Sequence, residues 1–190
     1  MIRIALVGDI GCGKSYFAKL FNYPVFNADY EVSNIYRKDK KCFKKLKKSF
    51  PNDKFTFPIK KKELRDCILY NRKNLIKISK IVHPIVRQKL NLFLRKNYHK
   101  KFVILDIPLF LENKINKKKD IIIFIQANKN FIKKRLNKRT GFDKNLIKLF
   151  RKIQLPLHIK KKKSNIIIKN NFSQKTAKKN VKYILKKIQI

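Results

Sequence analysis

The chain has 190 residues, enough for one domain with a substantial core and small insertions. No apolar run approaches the ~20 residues that a membrane helix needs, and the first residues lead straight into an expected strand rather than a signal peptide. Charge is the extreme feature, with 51 Lys and Arg against 11 Asp and Glu (net +40), while three scattered cysteines, Cys12, Cys42 and Cys67, exclude a disulfide framework and suit a reducing cytoplasm.

Ile2-Arg3-Ile4-Ala5-Leu6-Val7 is a short apolar run that suits a buried strand. It leads into Gly8-Asp9-Ile10-Gly11-Cys12-Gly13-Lys14-Ser15, which fits the phosphate-loop pattern G-x-x-x-x-G-K-[ST]. The chain has four glycines, and three of them fall here. Glycine supplies positive φ and lets the backbone approach a ligand closely. Successive N–H groups then cradle phosphate, the lysine reaches the β- and γ-phosphates, and the serine hydroxyl takes Mg2+. The expected ATP contacts are therefore Gly8, Gly11, Cys12, Gly13, Lys14, Ser15 and Tyr16. Phe17, Leu20 and Phe21 follow at helical spacing and put a helix N-terminus under the phosphates. Asp9 is the odd residue, a carboxylate in an anion-binding loop, and its side chain is expected to point away from the phosphates.

Residues 24–29 read as a second short strand ending in Asp29. From Tyr30 to Tyr98 the chain reads as helical, with a two-proline loop at 51–58, an interruption at Asn71, and Pro84 at the first position of a new helix. That stretch exceeds a simple crossover and reads as a helical insertion. Strands return at 102–107 and 120–125, continuous apolar runs of the kind buried on both faces of a parallel sheet. Phe131, Arg135 and Arg139 share a helical stripe ended by Gly141. Asp143 is placed to cap the next helix. Lys160 to Lys163 read as a solvated turn, 166–168 as the last strand, and Ala177 to Ile188 as the face of a closing helix. The alternation predicts a doubly wound α/β sheet.

Lysines occur in every segment rather than in one patch, so the charge reads as a solvated surface. It steers anionic small substrates and favours weak RNA contact, with no specific nucleic-acid partner and no membrane expected.

In open α/β sheets, ligands bind beyond the carboxyl ends of the strands. Asp29 and Asp106 lie at or near such ends, whereas Asp120 begins a strand on the wrong rim. Asp29 is the leading group to take a proton from an acceptor hydroxyl, and Asp106 is a candidate Mg2+ carboxylate. Arg135 and Arg139, spaced i, i+4, are candidates to offset charge on a transferring phosphoryl group. A lone His, such as His83 before a proline, is more often a structural hydrogen-bonder than a catalyst.

These motifs together resemble the dephospho-CoA kinase family, which transfers the ATP γ-phosphate to the 3′-hydroxyl of dephospho-CoA in the last step of coenzyme A biosynthesis. The family's G-G-I-G-S-G-K-[ST] matches residues 8–15, its D-A-D matches Asn27-Ala28-Asp29, and its H-P-x-[IV]-R matches His83-Pro84-Ile85-Val86-Arg87. Further matches are Asp106-Ile107-Pro108-Leu109-Phe110-Leu111-Glu112, the pair Arg135 and Arg139, Arg151-Lys152-Ile153-Gln154, and the run from Ser164 to Asn170. The resemblance implies a P-loop NTPase fold: a five-stranded parallel sheet flanked by helices. Its segments 1–29, 98–135 and 159–190 would form the core, 30–97 a CoA-binding insertion and 136–158 a lid. It implies Asp29 as catalytic base and an acceptor pocket lined by Asp29, His83, Arg87, Pro108, Leu109 and Glu112. ATP and dephospho-CoA would be the partners, Mg2+ the cofactor and the cytoplasm the location. Asp9, Asn27, Phe131 and Ser164-Asn165 depart from the family pattern. Another small-molecule P-loop kinase acting on a nucleoside or nucleotide is the first alternative, and an RNA-binding P-loop protein the second.

Overall fold

The computed structural model describes residues 1–138 and 143–188, so Arg139 and Gly141 lie outside it. Nearly uninterrupted Ile, Val, Leu and Phe make β1 (Ile2–Gly8), β3 (Phe102–Asp106) and β4 (Ile121–Ala127), three strands with almost wholly buried centres. Such runs suit strands covered on both faces. With β2 (Val25–Asn27) and β5 (Ile166–Asn170) they form one sheet in the order β2-β3-β1-β4-β5, with every pairing parallel. This is the five-stranded parallel sheet that the resemblance implies.

The chain divides into two compact units, Met1–Asn27 with the residues from Asn97 onward, and Ala28–Lys96. The first holds the sheet. Its helices are α1 (Lys14–Leu20), α6 (Lys129–Asn137), α7 (Lys144–Lys152), α8 (Leu157–Lys162) and α9 (Gln174–Ile188). Phe17 and Phe21 pack under Ile4, Leu6, Ile104 and Ile123, and Ala177, Val181 and Ile184 of α9 join the same core. The four-residue periodicity of α9 selects that face. Asp143 caps α7 as expected, accepting from the Asn145 and Leu146 N–H groups.

At the amino ends of the strands, Arg3 grips Asp120 through Nε–Oδ1 and Nη2–Oδ2 contacts of 2.7 and 2.5 Å. The Lys117 N–H adds a bond of 2.7 Å to the same carboxylate. Both side chains are nearly sealed from water (9% and 2% exposed), a burial tolerable only because the pair is bidentate. Asp120 thus staples the turn before β4 to β1, on the rim away from the phosphate loop.

The second unit is helical: α2 (Ala28–Lys38), α3 (Lys40–Ser49), α4 (Lys61–Tyr70) and α5 (Lys73–Lys96). Asn71 ends α4, as its place in the sequence suggests. Two expectations fail here. β2 stops at Asn27, so Asp29 lies in the first turn of α2 rather than at a strand end. Pro84 does not begin a helix, because α5 runs through it without a break. Pro84 and Lys80, whose carbonyl loses its N–H partner, are both exposed, so water can satisfy that carbonyl. Among the described residues no helix is long and apolar enough to cross a membrane.

Candidate nucleotide and acceptor site

Gly8, Gly11 and Gly13 all have positive φ, of 148°, 84° and 102°. Two of these glycines are dictated by space as well. A Cβ on Gly8 would lie 2.5 Å from the Ile125 carbonyl oxygen, and one on Gly13 would lie 2.7 Å from Asn170 Nδ2. Gly13 is the left-handed N-cap of α1, so the loop feeds directly into a helix N-terminus, whose free N–H groups favour an anion. Asn170, at the carboxyl end of β5, locks the loop from behind. Its Nδ2 donates to the Cys12 carbonyl at 2.8 Å, and its Oδ1 accepts from the Phe172 N–H at 2.8 Å.

Lys14 folds back over this loop. Its ammonium donates to the Asp9 carbonyl at 2.8 Å and to the Gly8 carbonyl at 3.3 Å. Ser15 is exposed and Cys12 fully buried. Burial pushes the Cys12 thiol up against the opposing pull of Lys14, so it is a packing group rather than a nucleophile. Asp9 uses Oδ1 to accept from the Ile10 N–H at 2.7 Å, while Oδ2 lies 3.5 Å from Arg151 Nη2.

Asp106 ends β3, next to β1 in the sheet and nearly buried. Its Oδ2 accepts from Asn27 Nδ2 at 2.7 Å across the β2–β3 pairing. This contact gives the Asn27 departure a physical sense: the amide donates to Asp106 where a second carboxylate would repel it. The Ser15 hydroxyl and the Asp106 carboxylate are hard oxygen donors. Among the described residues no three His, Cys, Asp or Glu gather as a metal cage. Such oxygen donors fit Mg2+, which keeps water and substrate phosphates among its ligands.

Arg135 is exposed on α6, and its guanidinium lies over the Phe172 ring at 5.4 Å, with Phe131 edge-on to the same ring. Pro108 and Leu109 are half-buried in the turn after β3. Glu112 follows them and faces the protein: Oε1 accepts from the Leu155 N–H at 2.9 Å and pairs with Lys160 Nζ at 2.7 Å. Lys160 is therefore no part of a solvated turn. It is 1% exposed, within α8, and also donates to Gln154 Oε1.

His83 and Arg87 belong to the helical unit, one turn apart on α5. Burial, and then the Arg87 charge, hold His83 below its ordinary value of 6.5. The unfolded chain therefore takes up a proton that the folded one resists, and stability is lost as pH falls through 6.5. Thermal unfolding between pH 7.5 and 5 should show a Tm that drops less steeply for His83→Gln than for the natural chain. Parallel slopes would remove this account.

A profile of the dephospho-CoA kinase family matches residues 2–176. The chain belongs to that family. A dephospho-CoA kinase of a Brugia malayi Wolbachia is 33% identical over 192 residues, covering 98% of each chain. Two solved structures share the fold at 24% identity. One, from Thermus thermophilus, has a TM-score of 0.76 and covers 98% of this chain and 97% of that one. The other is a Campylobacter jejuni dephospho-CoA kinase, with a TM-score of 0.67 over 98% and 96%.

Within this dephospho-CoA kinase fold, Arg151 and Asn170 fall in the family-matching segments, but their contacts with the loop could not be read there. Phe172 carries no such signal, and Lys160 is hidden among identical neighbours.

Proposed function

We propose that the chain phosphorylates the 3′-hydroxyl of dephospho-CoA with ATP, giving coenzyme A and ADP. The observation that carries this reading is the loop: three glycines with positive φ turn β1 into α1 and leave Lys14 and Ser15 in the helix's first turn, in a chain of a kinase family. Backbone N–H groups and Lys14 would hold the β- and γ-phosphates, with Lys14 trading its carbonyl partners for phosphate oxygens. Ser15 and Asp106 would hold Mg2+, which supplies charge against the phosphates when bound.

Asp29, two residues after Asn27, would accept the proton of the 3′-hydroxyl as that oxygen attacks the γ-phosphorus and ADP leaves. Arg135 would lie beside the nucleotide, and Arg139, outside the described residues, would offset the developing charge. His83, Arg87, Pro108 and Leu109 would shape the acceptor pocket. Glu112 would act there through the loop that its ion pair with Lys160 fixes. Residues 30–97 would be the acceptor-binding insertion and 136–158 the lid. The net +40 charge would draw in both anionic substrates, so kcat/KM should fall with ionic strength. Three free, buried cysteines suit a reducing cytoplasm.

The test is ATP turnover with dephospho-CoA, a nucleoside and a nucleotide offered separately, scored by appearance of coenzyme A and of ADP. Formation of coenzyme A is expected. ADP formed only with a nucleoside or nucleotide acceptor would overturn the reading.

A further inference from the structure

The acid inside the phosphate loop is unexplained by the reaction. A carboxylate there repels the triphosphate that the loop would cradle. The distant lysines do not cancel this, because exposed charges are screened within about 8–10 Å. Among the described residues, Asp9, Lys14 and Arg151 carry charge at the loop, and Lys160 also acts on Cys12.

Their arrangement is specific. Oδ1 of Asp9 is fixed by the Ile10 N–H, which turns Oδ2 toward Arg151 Nη2 at 3.5 Å. Lys14, although adjacent, bonds to the Asp9 and Gly8 carbonyls instead of this carboxylate. Asp9 is 16% exposed and Arg151, in the last turn of α7, is 50% exposed. Arg151 is thus held at the loop by one loose contact, and exposed pairs of this kind are worth little. A guanidinium fork fits phosphate better than it fits one carboxylate oxygen at 3.5 Å.

We infer that Asp9 competes with phosphate for Arg151: its Oδ2 holds the guanidinium of α7 loosely, and a bound triphosphate takes the arginine from it. The inference rests on the loop being the triphosphate site. It makes Asp9 a competitor for Arg151 and Arg151 a phosphate contact.

The exchange has a thermodynamic signature. Removing the Asp9 charge lifts its repulsion of phosphate whether or not Arg151 is present. Only with Arg151 present does it also remove a contact that binding must break. ATP affinity should be measured by calorimetry for the natural chain, Asp9→Asn, Arg151→Ala and the double variant, with thermal unfolding confirming that each is folded. Arg151→Ala should bind ATP about tenfold more weakly. Asp9→Asn should tighten ATP binding about tenfold in the natural background and only about threefold beside Arg151→Ala, a coupling beyond the additive limit. In turnover, Asp9→Asn should lower KM for ATP and leave KM for dephospho-CoA within about twofold. Effects of Asp9→Asn that agree within about twofold in both backgrounds, or a weakening of ATP binding, would overturn the inference alone. A natural chain that bound no ATP would instead remove the nucleotide reading beneath it.

Discussion

Asp29→Asn should lower kcat by about 10²- to 10⁴-fold, the usual contribution of a positioned general base, while ATP affinity changes less than about twofold. The expectation follows from the family match, in which Asn27-Ala28-Asp29 stands for D-A-D, and from the structural roles of three other acids. Among eleven acids, Asp120 is tied to Arg3 on the far rim, Asp106 accepts from Asn27, and Glu112 is paired with Lys160. Asp29 lies two residues past the end of β2, in the first turn of α2. Asparagine keeps the size and can still accept a hydrogen bond, so a binding role would survive the change and a proton-accepting role would not. Steady-state kinetics with dephospho-CoA, beside direct ATP binding, separates the two. Unchanged turnover would remove Asp29 as the base, and an equal loss in ATP affinity would make it a nucleotide contact.

Gly8→Ala should be the most damaging small change in the loop. The added methyl would lie 2.5 Å from the Ile125 carbonyl oxygen and 2.8 Å from Cys12 Sγ, at a φ of 148°. The first obstacle is backbone, and Ile125 is registered against Gly8 within the β1–β4 pairing, so it cannot step aside without opening the sheet. Backbone strain of about 1–3 kcal/mol and overpacking of a similar size predict a cost of about 2–6 kcal/mol. Calorimetry should show Tm lowered by roughly 4–24 °C, with ATP affinity lost as the loop is displaced. A Tm within about 1 °C of the natural chain would show that the turn relaxes freely.

Much of this architecture can be read from residues alone, for identifiable reasons. The buried strands announce themselves because a parallel sheet needs apolar side chains on both faces, and Ile2 to Val7 and Ile121 to Ile125 have little else. The loop is legible because glycine is scarce here and positive φ has few other sources. The turn from β2 into α2 is not, since Asn-Ala-Asp serves equally well as a strand end or a first helical turn. Pro84 misleads because proline is as familiar at a helix start as it is costly in the interior. Contacts made over long sequence separations leave no local trace. Asn170 reaches Cys12 across 158 positions, and Arg151 reaches Asp9 across 142.

The ion pair beneath the lysine run has a bearing on how this sequence can drift. Most of its 51 cations are interchangeable coats for wet surface, where Arg, Gln or Glu would serve about as well. Within the run from Lys160 to Lys163, Lys160 is the exception, because nearly every replacement strands a carboxylate indoors without its counterion. A tract that looks like compositional filler thus contains one position that selection cannot relax.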